Sequence, residues 1–239
     1  MVETLIVKAG QAQVVNETSE FERAAVDFAE KALSEALAER GTASVALAGG
    51  GTPRGMHRLW ATSSKLAWGE IDLFFGDERC VPPDDEQSNY RAVLEDFLSA
   101  LPLPGPRVHR IRGEETDHQR AARRYAAELP DRLDLLILGV GPDGHTASIF
   151  PGDAAVLAQT QARAFAVEAP KPPAERITIT PPVLVGARKI LVLARGEDKA
   201  QAIFEARHGL WDPLVTPAQL ARRGTFLLDA AAARLEPSA

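Results

Sequence analysis

Three short stretches carry the residue types that chemistry needs, and each follows an apolar run. The first is Gly139-Val140-Gly141-Pro142-Asp143-Gly144-His145-Thr146. A histidine side chain is the residue type suited to taking a proton from water near neutral pH, and this stretch carries one. Asp143 can hold the ring or its charged form, but side chains at i and i+2 do not share a helix face, so the glycine-rich turn must bring the two together. The alternative is a histidine that only caps a loop. The second stretch is Gly49-Gly50-Gly51-Thr52-Pro53. Glycines let backbone N–H groups converge on an anion, Thr52 adds a hydroxyl, and Pro53 suits the first turn of a following helix. A tight strand-to-helix turn explains the same residues. The third is Gly76-Asp77-Glu78-Arg79, where three charges directly follow an apolar strand. Solvated loop charges are the ordinary reading of such a run, and a functional loop is the other.

The elements that must position these turns follow from apolar periodicity. Residues 4–9 suit a short strand. Residues 18–40 form a helix with Phe21, Ala25, Phe28, Ala32 and Ala36 on one stripe and Gly41 as its stop. Residues 44–48 are an unbroken apolar run, the mark of a strand covered on both faces, and a helix carrying Met56 and Leu59 follows the glycines. Residues 71–75 form another strand, and Pro82 and Pro83 then forbid regular structure. Helices are expected over 88–98 and 114–128, with a central strand over 133–140. Strands over 165–168 and 177–180 flank the loop Pro170-Lys171-Pro172-Pro173. Residues 189–194 form the last strong strand, followed by Gly196, a helix through Ala206 and a final strand over 225–228.

Strands and helices alternate throughout, which predicts an α/β fold: a mostly parallel sheet flanked by helices. Residues 101–107 are a loop too short for a boundary, so residues 1–239 read as one domain. Ligands of open parallel sheets bind beyond the carboxyl ends of the strands. All three turns lie at such ends, so they are expected at one rim.

Composition narrows the function. The 239 residues include 27 Lys and Arg against 33 Asp and Glu, a net charge of −6. That balance argues against nucleic acid or an anionic membrane as partner, though not against a few cations converging on a small anion. The single cysteine, Cys80, rules out an intrachain disulfide framework and a cysteine-based metal site. It reads as a small buried hydrophobe. His57, His109, His118 and His208 show no ligand spacing, so no metal is expected. No run reaches the roughly 20 apolar residues of a membrane helix, and the start has no secretory pattern, so the chain reads as cytoplasmic. Neither the GxGxxG nor the GxxxxGK[ST] fingerprint is present, which weakens a nucleotide-binding reading.

Taken in order, AGGGTP (48–53), FFGDERCVP (74–82), SNY (88–90), GVGPDGHTASIFPG (139–152), KPPAERITIT (171–180) and GEDKAQAI (196–203) resemble the 6-phosphogluconolactonase family. The resemblance implies a Rossmann-like fold of the glucosamine-6-phosphate deaminase type and no cofactor. It implies hydrolysis of 6-phospho-D-glucono-1,5-lactone to 6-phosphogluconate in the pentose phosphate pathway, with a sugar-phosphate lactone as the small-molecule partner of a monomer or small homo-oligomer. It places His145 as general base, with Asp77 as the alternative base, and puts Asp143, Asp77 and Arg79 at catalytic-pocket positions. Gly50, Gly51, Thr52, Arg176 and Lys199 would hold the phosphate; without the resemblance, Arg176 and Lys199 read as surface charges. The related deaminases carry an Asn-Glu pair four and five residues after the matching histidine. Ile149 and Phe150 stand there in this chain, which disfavours ring opening and ammonia release. A non-catalytic sugar-phosphate sensor would need a DNA-binding segment, for which the first 17 residues are too short.

Overall fold

Unbroken apolar runs build the centre of the molecule. The computed structural model describes residues 9–63 and 65–237. The chain runs through β1 (Ala12–Val14), α1 (Thr18–Arg40), β2 (Ala43–Leu47), α2 (Pro53–Trp60), β3 (Ile71–Phe75), β4 (Asp77–Arg79) and α3 (Asn89–Asp96). It continues through β5 (Arg107–Val108), α4 (His118–Glu128), β6 (Leu135–Gly139), α5 (Ala154–Leu157), β7 (Ala164–Glu168) and β8 (Glu175–Ile179). The last elements are α6 (Pro181–Gly186), β9 (Lys189–Ala194), α7 (Ala200–His208) and β10 (Thr225–Leu228).

Seven strands form one sheet in the order β1-β10-β9-β6-β2-β3-β5. Every neighbouring pair is parallel. Every residue of β2 is buried, as are four of the five in β6 and five of the six in β9, so these runs lack polar alternation. From β2 the chain winds outward through β3 to β5, then returns to place β6 on the other side of β2. The crevice between the carboxyl ends of β2 and β6 is therefore the switch point of the sheet, where ligands of such folds bind. The glycine turn follows β2, and the histidine turn follows β6.

The long helix has the expected bounds, and Gly41 caps it in the left-handed conformation. Its buried face includes Val26, Ala29 and Leu33 besides Phe21, Ala25, Ala32 and Ala36, while Phe28 is only partly buried. The face is broader than the expected stripe because α1 packs against both α2 and the sheet. The helix expected from residue 114 begins at His118, where the side chain of Asp117 accepts the Arg120 N–H at 2.9 Å as an N-cap. The strand expected over 4–9 falls outside the described residues except for Ala9, which is not in a strand; the first described strand, β1, pairs with β10.

A second sheet was not expected. β4, β8 and β7 form an antiparallel layer in that order. The charged Asp77-Glu78-Arg79 stretch is therefore not a loop. It is a strand paired with β8, with Asp77 opposite Thr178 and Arg79 opposite Arg176. Among the described residues, no helix is long and apolar enough to cross a membrane.

Candidate active site

The turn after β6 folds back on itself. Thr146 Oγ1 donates to the Gly139 carbonyl at 2.9 Å, the Gly141 N–H to the His145 carbonyl at 2.9 Å, and the Gly144 N–H to the Gly141 carbonyl at 3.0 Å. This closure brings Asp143 and His145 together, as no helix could. Asp143 Oδ1 meets His145 Nδ1 in a short contact and accepts the His145 backbone N–H at 3.2 Å. Gly141 is required here, because a Cβ would collide with both the His145 ring and the Asp143 carboxylate. Burial pushes the Asp143 carboxyl up, but the hydrogen bond and charge of His145 outweigh it and hold the group below its ordinary value. An ionised Asp143 accepts a hydrogen bond from Nδ1–H, which keeps the ring proton on Nδ1 and leaves the lone pair on Nε2. Nε2 has no protein partner among the described residues, and the ring lines a cavity.

That cavity, about 260 Å³, opens at the switch point and gathers the three turns. Gly50, Gly51 and Thr52 form one wall, and Thr52 begins α2 without using its side chain as a cap. Asp77 and Arg79 enter from β4, Arg176 from β8, and Lys199 from the turn that follows β9. Eight of the nine residues singled out in the sequence thus line one space. The ninth, Asp143, stands behind His145 and holds it.

The charges are arranged unequally. Asp77 is 8% exposed, and both of its carboxylate oxygens are engaged: Oδ2 accepts Ser148 Oγ at 2.5 Å and Oδ1 accepts Asn89 Nδ2 at 3.2 Å. Arg176 is 5% exposed; its Nε donates to the Pro173 carbonyl at 3.0 Å, and no carboxylate pairs with its guanidinium among the described residues. Burial pushes the Arg176 pKa down from its ordinary value; the charges of Asp77 and Glu78 oppose the shift, and that of Arg79 adds to it. Arg79 donates to the Gln87 carbonyl, while its buried Nε has no partner. Lys199 pairs only with its neighbour Asp198, at 3.0 Å. Like charges directly opposite on antiparallel strands repel, so the Arg79–Arg176 pair is suited to an anion between or beside them.

Glu78, absent from the expected site, explains how β4 is held. It is buried and accepts the Arg79, Asn89 and Tyr90 N–H groups at 2.7, 2.8 and 2.8 Å and Ser88 Oγ at 3.0 Å. Burial raises its pKa despite these donors. Glu78 thereby ties β4 to the N-terminus of α3 and presents Asn89 to the cavity. Asn89 packs so closely on Gly49 that a side chain at Gly49 would overlap it. Lys171, from the loop between β7 and β8, also lines the cavity, as does Ala147, whose φ of 48° is a strained left-handed conformation. The motifs containing Asn89, Lys171, Ser148 and Ala147 are visible in the sequence, but their pairwise contacts are not. Cys80 lies outside the cavity, and burial pushes its thiol up to about 12, which leaves it inert. No group of three or more His, Cys, Asp or Glu side chains is placed to hold a metal ion among the described residues.

Comparison with known proteins meets this geometry. The family model described as glucosamine-6-phosphate isomerases/6-phosphogluconolactonase matches residues 16–228. The 6-phosphogluconolactonase of Streptomyces coelicolor is 38% identical over 225 residues, covering 85% of each chain. That of Mycobacterium tuberculosis is 35% identical, covering 87% of this chain and 90% of its own. The crystal structure of a 6-phosphogluconolactonase from Shewanella baltica superposes with a TM-score of 0.82 at 27% identity, covering 95% of this chain and 98% of that one. The superposition, the matched span and the identities agree, and the chain belongs to the glucosamine-6-phosphate isomerase/6-phosphogluconolactonase family.

Proposed function

We propose that this chain is a lactone hydrolase that opens 6-phospho-D-glucono-1,5-lactone to 6-phosphogluconate, the step that the pentose phosphate pathway requires. The observation that carries the reading is the Nε2 of His145, without a partner among the described residues and fixed through Nδ1 by Asp143, in a cavity that Arg79, Lys171, Arg176 and Lys199 also line. A lactone is an activated ester, so water is a sufficient nucleophile. His145 Nε2 takes a proton as the water oxygen bonds to C1. Arg79 stabilises the developing oxyanion. The C1–ring oxygen bond then breaks, and the proton on Nε2 passes to the departing ring oxygen. The phosphate dianion lies against the glycine turn, Thr52, Arg176 and Lys199, in charge-assisted contacts that fix C1 near the base.

Asp77 is less suited to serve as the base. Ser148 and Asn89 already donate to its oxygens, whereas Nε2 of His145 is free. We therefore read Asp77 as an orienting group for the sugar and for Asn89. The matched span of 16–228 supports treating the chain as one catalytic domain.

The test is base consumption at constant pH by freshly made lactone, with and without protein. Acceleration by the native chain and its loss in His145→Ala is the expected outcome. A His145→Ala variant as fast as the native protein refutes the base assignment. Ammonia released from glucosamine 6-phosphate, with no effect on the lactone, refutes the reaction.

A further inference from the structure

Phe150 is buried, 4% exposed, yet it does not belong to the apolar cluster that forms the core, which includes its neighbour Ile149. Nor does it line the cavity. Its ring meets two polar groups instead. The His145 ring lies 4.7 Å away between centroids, tilted by 32°, and the Arg176 guanidinium carbon lies 5.6 Å from the centre of the same ring. One aromatic side chain therefore touches both the proton acceptor and a cation of the anion wall. We propose that Phe150 is a positioning residue for the reaction, its ring setting the imidazole of His145 and the guanidinium of Arg176 at one fixed separation. This rests on the lactonase reading above.

The chemistry favours an aromatic over either obvious replacement. A guanidinium is attracted to a π face without losing its charge. A carboxylate in the same place would pair with Arg176 and cancel the charge that the phosphate needs, and would also bias His145 toward its protonated form, which cannot act as a base. An aliphatic side chain would fill the space but attract neither group. Among the described residues Arg176 makes one hydrogen bond, from Nε to the Pro173 carbonyl, so its two terminal nitrogens are oriented by the ring beneath them together with the charge of Asp77.

The experiment compares the native chain with Phe150→Leu, Phe150→Met and Phe150→Tyr on 6-phosphogluconolactone and on unphosphorylated gluconolactone. The aliphatic variants are expected to raise KM for the phosphorylated substrate by about three- to tenfold more than for the other, the size of one cation–π contact, and Phe150→Tyr is expected to restore most of it. In an Arg176→Ala background the same substitution should have little further effect on that ratio, because the coupling runs through the guanidinium. Equal changes in KM toward both lactones, or effects on the KM ratio additive with Arg176→Ala, overturn the proposal. The native chain gives a second readout independent of variant folding. The Cε1 proton of His145 should be displaced upfield by the Phe150 ring current, and an unshifted resonance also overturns it. A native chain inactive on the phosphorylated lactone refutes the parent reading instead.

Discussion

Acid should weaken this fold through one buried histidine. His57 sits on α2, the helix that begins directly after the glycine turn, and is 2% exposed. It stacks on Phe97 with centroids 5.9 Å apart, and its Nε2 has no hydrogen-bond partner. Burial lowers its pKa from 6.5 to about 4; nearby Asp96 opposes the shift, and Arg54 and Arg58 add to it. The native state thus keeps His57 neutral where the unfolded chain has bound a proton. Stability is fully present above pH 6.5, falls as the pH drops toward 4, and levels off below. At 1.36 kcal/mol per pH unit, the full loss is about 3 kcal/mol, of which about 2 kcal/mol is gone by pH 5. The assay is urea unfolding of the native chain and of His57→Phe between pH 7.5 and 4.5. The variant keeps a ring in the stack and removes the titration, so the stability difference between the two proteins isolates His57 from the carboxylates. That difference should shift by about 2 kcal/mol in favour of the variant by pH 5. Two parallel curves would show that the histidine is solvated or charged in the native state, and the argument from burial would fail.

Three further outcomes follow from the site. His145→Ala should lower kcat/KM for the lactone by about 10²- to 10⁴-fold, the usual contribution of a positioned base; steady-state kinetics checks this, and a loss of less than tenfold contradicts it. Arg176→Ala or Lys199→Ala should raise KM for the phosphorylated lactone by about 10- to 100-fold, corresponding to about 1.5–3 kcal/mol for a hydrogen bond to a charged group, while unphosphorylated gluconolactone is spared. Ser148→Ala removes the 2.5 Å donor to the buried Asp77; it should lower stability by about 1–3 kcal/mol in urea unfolding, and an unchanged midpoint would show that water replaces the hydroxyl.

Much of the site was legible because its residues follow strands, and strands were legible as unbroken apolar runs. The strand at Ile71–Phe75, the strand at Lys189–Ala194 and the final strand at Thr225–Leu228 have the expected bounds. What escaped was contact between segments far apart in the chain. Nothing in Asp77-Glu78-Arg79 announces that it pairs with Arg176-Ile177-Thr178, so the pairing of two arginines and the burial of Arg176 could not be read from either segment. Ser148 was visible only as part of a motif, because its partner Asp77 lies 71 residues away in the chain, on β4. The start of α4 differs from the expected residue 114 for another reason: residues 114–117 are polar and compatible with a helix, and only the Asp117 cap decides the boundary.

The proposed anion cleft of an acidic chain rests on which charges are already satisfied, and composition does not reveal it. Both carboxylates of the site are occupied within the protein, Asp77 by Ser148 and Asn89, Asp143 by His145. The two arginines are pinned by neutral carbonyls, those of Gln87 and Pro173, so each is held in place without being neutralised. The two carboxylates therefore face internal donors, while neither arginine has a carboxylate partner among the described residues; of the site's cations, Lys199 is paired, with Asp198. The cross-strand opposition of Arg79 and Arg176, unfavourable in an empty site, becomes favourable once a dianion lies against them. The net charge of −6 belongs to the whole chain, and charges distant from the cavity do not cancel a local field so close to it.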